Sequence, residues 1–138
     1  MVVPFGRRLM AAEEPILDEH GLTMWAYVVL SALAEQDAPT QSALATAIGA
    51  DKTRIIGVLD DLQARDLIAR RPDPIDRRAY VLSLTPTGRR LHGAAQADIQ
   101  RGEERWLRRL SPAERAAFLH ALGVLSGEPE ATGDDDRG

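Results

Sequence analysis

PTQSALATAIGADKTRIIGVLDDLQARDLI, from Pro39 to Ile68, and the adjoining ARRPDPIDRRAYVLSLT, from Ala69 to Thr85, decide how the rest of the chain is read. In the first stretch Leu44, Ala47 and Ile48 recur at helical spacing, Gly49 interrupts, and Ile55, Val58, Leu59 and Leu62 resume the apolar stripe. That spacing predicts a short helix, a tight turn and a longer helix. The second stretch turns at Pro72, Asp73 and Pro74, then alternates Tyr80, Leu82 and Leu84 on one face with Val81 and Ser83 on the other. A helix pair followed by a two-stranded ribbon is a winged helix-turn-helix. The predicted class is therefore mainly α with a small β-wing.

If Ile55, Val58, Leu59 and Leu62 turn inward, the 100° step of a helix sends Thr53 and Gly57 outward, with Arg54 to one side and Lys52 near the N-terminus. Asp51 is positioned to cap that helix, whose first amides favour a phosphate. Outward Thr, Gly and Arg residues on a helix are usually only solvated. Their weight comes from the hairpin, which carries Arg70, Arg71, Arg77 and Arg78 against Asp73 and Asp76 alone. The candidate contacts to double-stranded DNA are Gln41, Lys52, Thr53, Arg54, Asp76, Arg77 and Arg78. Arg78 near the wing tip suits a narrow minor groove, and Asp76 is expected to orient it through a charge-assisted hydrogen bond.

Composition narrows the alternatives. The 138 residues, 44% hydrophobic, fall within the ~100–200 residues usual for one domain. Aromatics are only 4% while Ala and Leu abound, which favours helices over a β-sandwich. With no cysteine, disulfides, thiolate zinc sites and thiol redox switches are closed to this sequence. The net charge is −4, yet residues 40–90 hold nine Lys/Arg against six Asp/Glu, leaving eight against fifteen elsewhere. A locally basic segment in an acidic chain is what steering toward phosphate requires. His20, His92 and His120 lie in unrelated segments with no nucleophile motif, phosphate loop or metal-ligand spacing around them, so no enzyme, cofactor or metal is expected. No apolar run reaches the ~18 residues of a membrane span, and MVVPFGRRLM lacks the apolar core of a secretory signal. A cytoplasmic protein without membrane contact is expected.

Outward from the centre, residues 7–19 form a first helix with Leu9, Ala12 and Ile16 on one face, which Pro15 is expected to bend. Thr23 caps a second helix with the stripe Trp25, Val28, Val29, Ala32 and Leu33, predicted to be the buried centre. Thr85-Pro86 opens a long helix through Leu91, Ala94, Ala95, Ile99, Trp106, Leu107 and Leu110, with Gly88, Gly93 and Gly102 as soft points. Ser111 and Glu114 form a capping box for a last helix with Phe118, Leu119, Leu122 and Leu125 in line, ended by Gly127.

The segment DRRAYVLSLT, Asp76 to Thr85, resembles the D-x-R-(five residues)-L-T signature of the MarR (multiple antibiotic resistance regulator) transcription factors, with Asp76, Arg78, Leu84 and Thr85 in the four defined places. The order of helices and wing resembles the MarR plan across roughly residues 5 to 127. The resemblance implies one domain over 1–127, with the winged helix-turn-helix about 23–85 and dimerisation helices about 7–19 and 86–126; 128–138 is read as a disordered acidic tail. It also implies a homodimer, interlocked through Leu9, Ile16, Phe118, Leu122 and Leu125, that represses from a pseudo-palindromic operator. By the same resemblance a small aromatic effector would bind a crevice near His20, Met24 and Trp25. Gly57 and Asp61 depart from the polar or basic residues common in MarR recognition helices, and Asp66 stands where a turn glycine is frequent, so base preference is not carried over. The competing expectation is a winged-helix protein-interaction module that does not touch DNA.

Overall fold

The computed structural model describes residues 2–38, 40–76 and 78–127. Arg77 and the predicted acidic tail at 128–138 lie outside them. The elements run α1 (Val2–Glu19), α2 (Met24–Glu35), α3 (Gln41–Ile48), α4 (Lys52–Ala64), β1 (Ile68–Pro72), β2 (Tyr80–Leu84), α5 (Pro86–Leu107) and α6 (Pro112–Ser126). The chain forms two compact bodies, Met1–Gly102 and Glu103–Gly138, and no helix among the described residues is long and apolar enough to cross a membrane.

The predicted caps of α2 and α4 are formed, and α3 has one as well. Thr23 Oγ1 accepts from Ala26 N, Thr40 Oγ1 from Ala43 N and Asp51 Oδ1 from Thr53 N, so α2, α3 and α4 each start where a side chain satisfies an otherwise orphaned amide. Gly49 closes α3 in the left-handed conformation at φ 66°, which glycine reaches without strain and which makes the turn of the helix pair. The wing is an antiparallel pair with Ile68 opposite Leu84, Arg70 opposite Leu82 and Pro72 opposite Tyr80. Ala38 adds a bridge to Leu82, with N–H···O contacts of 3.0 and 2.8 Å, tying the α2–α3 connection to the sheet.

α2 is the central helix and packs against α1, α3, α4 and β2. Its buried face is Ala26, Val29, Leu30 and Leu33, so the stripe is rotated from the expected one, with Trp25 and Val28 only half-buried. MWAYVVLSALAE is apolar almost all round, and such a helix gives the sequence little basis for choosing a face. α4 matches its pattern: Ile55, Leu59 and Leu62 are buried and Val58 is half-buried. In α3, Leu44 and Ala45 are buried while Ala47 faces outward.

Helix α1 and the start of α5 differ from expectation. α1 begins at Val2 and continues through Pro15, whose missing N–H leaves the helix unbroken, and its buried residue is Leu17 while Ile16 packs partly against the core. Gly88 is a close-approach position: a Cβ there would lie 1.9 Å from the Leu67 carbonyl oxygen, so only glycine lets α5 start directly on the α4–β1 turn. The adjoining Thr85 hydroxyl both donates to Asp66 O (2.6 Å) and accepts from Gly88 N (2.9 Å).

α6 starts at the predicted capping box, in which Ser111 N donates to Glu114 Oε2 (2.8 Å) and Glu114 N to Ser111 Oγ (3.2 Å). Glu104 near the end of α5 takes both guanidinium arms of Arg115, at 2.6 and 2.9 Å, and this hydrogen bonding holds the Glu104 carboxyl below its ordinary range.

Candidate nucleic-acid interface

One cleft of about 610 Å³ lies between the helix pair and the wing. Thr40, Gln41 and Ser42 border it at the start of α3, Lys52 and Gln63 from α4, and Arg70, Arg78 and Tyr80 from the wing. Of the residues singled out in the sequence, Gln41, Lys52 and Arg78 therefore converge. Thr53 is exposed in the first turn of α4, and Gly57 further along that face is open, with no atom within 4 Å of where a Cβ would lie.

Arg54 does not extend freely outward. Its guanidinium carbon lies 5.7 Å from the centroid of the Trp25 ring, a cation–π arrangement that joins the recognition helix α4 to α2. Asp76 also has a different partner from the one expected. Its Oδ1 accepts from the backbone N of Arg78 at 3.0 Å, so the acid shapes the turn instead of holding the guanidinium. Asp73 does the same upstream, accepting from Ile75 N at 2.8 Å. Among the described residues no acid pairs with the Arg78 guanidinium, which is exposed at the wing tip.

Arg70 stands out in the sequence only as part of the basic hairpin. Its strand position puts it on the same face as Ile68, turned toward α4, where Asp60 Oδ1 receives its Nη2 at 3.0 Å. Period-two counting from the buried Ile68 is the signal that could have singled it out.

The three effector candidates have different neighbours. His20 Nε2 and Asp98 Oδ2 are 2.6 Å apart, linking the end of α1 to α5, and Asp98 also pairs with Arg101. Met24 borders a separate pocket of about 200 Å³ with Glu14, Leu17 and Asp18, and Trp25 faces Arg54. A further polar cluster, missed in the sequence, lies between α2 and α5. His92 is buried, shares a 3.0 Å hydrogen bond with Ser31 Oγ and stacks on Tyr27 at 5.4 Å. Burial, and then the nearby Arg89, lower its pKa.

Residues 20–79 match the MarR family model. A transcriptional regulatory protein for the hcr operon of Thauera aromatica is 34% identical over 117 residues, covering 85% of this chain and 70% of that protein. The chain belongs to the MarR family. It is therefore a transcriptional regulator of the MarR type, built on a winged helix. Among solved structures, the repressor CouR bound to a 23-mer DNA duplex superposes with a TM-score of 0.80 at 27% identity, covering 91% of this chain and 89% of CouR. BpsR of Bordetella bronchiseptica, solved to explain regulation of its DNA binding by 6-hydroxynicotinic acid, gives 0.75 at 29% identity, covering 93% and 91%.

Proposed function

We propose that this MarR-type regulator is a repressor that binds a pseudo-palindromic operator as a homodimer, with α4 in the major groove and the wing in the adjacent minor groove. The observation that carries the reading is the shared cleft, where Gln41, Lys52 and Arg78 come from three separate elements onto one surface. A two-fold pair of such surfaces doubles the contact, with half-site centres ~10 bp apart. Leu119, Leu122 and Leu125 of α6 are 45%, 43% and 82% exposed in the single chain, apolar area that a second copy would cover.

In this reading Lys52, Thr53 and Arg54 approach base edges and phosphates, while Arg78 enters the minor groove and Asp76 fixes the turn that presents it. CouR, a repressor bound to a DNA duplex, supports the DNA-binding part of this reading. BpsR supports a small aromatic effector, with His20, Met24 and Trp25 as candidate contacts. An effector ring stacked on Trp25 would compete with Arg54 for the same indole face. Such a ligand changes DNA affinity only through unequal affinity for the two states.

Fluorescence anisotropy on a duplex selected from a randomised pool, and on its scrambled version, tests the reading. Arg78→Ala weakens both alike, since minor-groove attraction is largely electrostatic, whereas Arg54→Ala costs ~1–3 kcal/mol on the selected duplex and less on the scrambled one. Wild-type protein that binds neither duplex would leave the winged helix as a protein-interaction module.

A further inference from the structure

The cleft between α4 and the wing has a geometric consequence for bound DNA. A helix in the major groove and a ribbon in the neighbouring minor groove straddle the one backbone strand that separates the two grooves. That strand has to cross the space between them, and the space is the 610 Å³ cleft carrying Lys52, Arg70 and Arg78. Lys52 and Arg78 are exposed. Arg70 differs, because it sits on the inner face of β1 opposite the buried Leu82 and only 20% of its side chain is exposed.

We propose that the cleft seats one phosphate of this backbone strand and that Arg70 is its inner ligand; the inference rests on the DNA-binding reading above. Asp60 acts as a positioning residue, since it takes Nη2 of Arg70 at 3.0 Å while itself 62% exposed, and so fixes the guanidinium plane without burying the pair. Nε of Arg70 is buried and has no hydrogen-bond partner among the described residues. A buried donor left unpaired is unfavourable, and a guanidinium drawn toward a phosphate oxygen can relieve it. Gln41 and Tyr80, which also line the cleft, add polar hydrogens. Phosphate contacts of this kind set the register of the protein on the duplex without reading bases.

Arg71 supplies the control. It follows Arg70 on the same strand, carries the same charge, is exposed, and lies on the opposite face across from Val81. Arg70→Gln and Arg71→Gln proteins, checked for unchanged melting, are titrated with the selected and scrambled duplexes from 0.05 to 0.3 M salt. Loss of one seated phosphate per half-site makes the salt slope of the two-fold dimer shallower by about 1.8 and weakens both duplexes roughly sixtyfold at ~0.1 M salt for Arg70→Gln, about eightfold for each half-site. Arg71→Gln retains the slope. Duplexes with a single neutral methylphosphonate at successive positions then locate the contact. One position per half-site weakens wild type and leaves Arg70→Gln no worse than it already is.

Equal behaviour of the two variants, or additive losses at every methylphosphonate position in Arg70→Gln, would overturn the seat while DNA binding itself stood. Failure of wild type to bind any duplex would remove the functional reading first. Tripolyphosphate distinguishes the source of the phosphate: displacement of DNA beyond that of chloride at equal ionic strength, lost in Arg70→Gln, would assign the seat to a free phosphorylated ligand and not to the backbone.

Discussion

Helices α4 and α6 are similar in length, 13 and 15 residues, and both read as apolar stripes in sequence, yet they end in opposite environments. α4 buries Ile55, Leu59 and Leu62 to 1% exposure or less, whereas α6 buries none of its residues within the chain. The difference lies in what each stripe meets. α4 packs against α2, α3 and β1 and so presents its polar side in a fixed direction, which a groove-reading helix requires. A stripe that stays largely exposed adds little to the stability of the single chain, and its exposed leucines are consistent with the proposed role in joining two copies.

The largest test of that contrast compares one leucine from each helix. Leu59→Ala should cost ~2–5 kcal/mol, the transfer and cavity terms of a fully buried leucine. Leu125→Ala, 82% exposed, should stay within ~0.5 kcal/mol for the dissociated chain. Urea unfolding at low and high protein concentration separates them. A Leu125→Ala loss that grows with concentration would sharpen the contrast by locating the missing partner in a second copy, and a concentration-independent loss as large as that of Leu59→Ala would break it.

Glycines of α5 give the next largest difference. At Gly88 an added methyl meets the Leu67 carbonyl, and Gly88→Ala should cost ~1–3 kcal/mol or more as α5 is pushed from the α4–β1 turn. Gly93 has nothing within 4 Å of the same atom, so Gly93→Ala should gain up to ~1 kcal/mol from helix propensity alone. Thermal melting of the two variants would have to move in opposite directions. Both glycines read alike in sequence, because a helical pattern shows the residue but not the carbonyl of another element lying above it.

The two regions should also titrate in separate windows. His92 between α2 and α5 has its pKa lowered from 6.5 by burial, so the unfolded chain binds that proton more readily than the folded one. Its contribution to stability is complete above 6.5 and declines as pH falls from there toward the folded value. Glu104, lowered from 4.5 by the Arg115 hydrogen bonds, contributes above 4.5 and fails only in more acid solution. His92→Gln should therefore flatten the stability profile just below 6.5 and leave the lower window, while Glu104→Gln should do the reverse; unfolding at half-unit pH steps reads both.

What was legible in the sequence follows the same division. The helix pair, the hairpin and the caps at Asp51 and Ser111 came from local rules, in which these side chains act on amides two or three residues away. Features that depend on distant residues did not. The periodicity of α2 points to a face rotated from the buried one because apolar residues surround it, and the Arg54–Trp25 contact joins residues 29 positions apart in different helices. Arg70 is visible in the sequence as a charge but not as an inward one, since its orientation depends on register with β2.

The smallest expected effect is at Asp66, where α4 turns into β1. Its φ of 58° is the left-handed region, the only such non-glycine among the described residues. The turn itself is made by backbone: Asp66 N donates to Gln63 O (3.0 Å), Leu67 N to Leu62 O (2.9 Å), and Asp66 O accepts the Thr85 hydroxyl. None of these bonds needs the carboxylate, which has no hydrogen bond or ion pair among the described residues. Asp66→Gly should thus keep the turn and remove the strain, offset partly by the freer unfolded chain, for a net gain of about 0.5–1 kcal/mol. Removing a negative charge from the basic segment should in addition tighten scrambled DNA slightly, with a salt dependence that marks it as electrostatic. A lower melting temperature would mean that the aspartate side chain holds the α4–β1 turn, and the rigidity attributed above to the backbone would then rest on the residue that replaces the glycine.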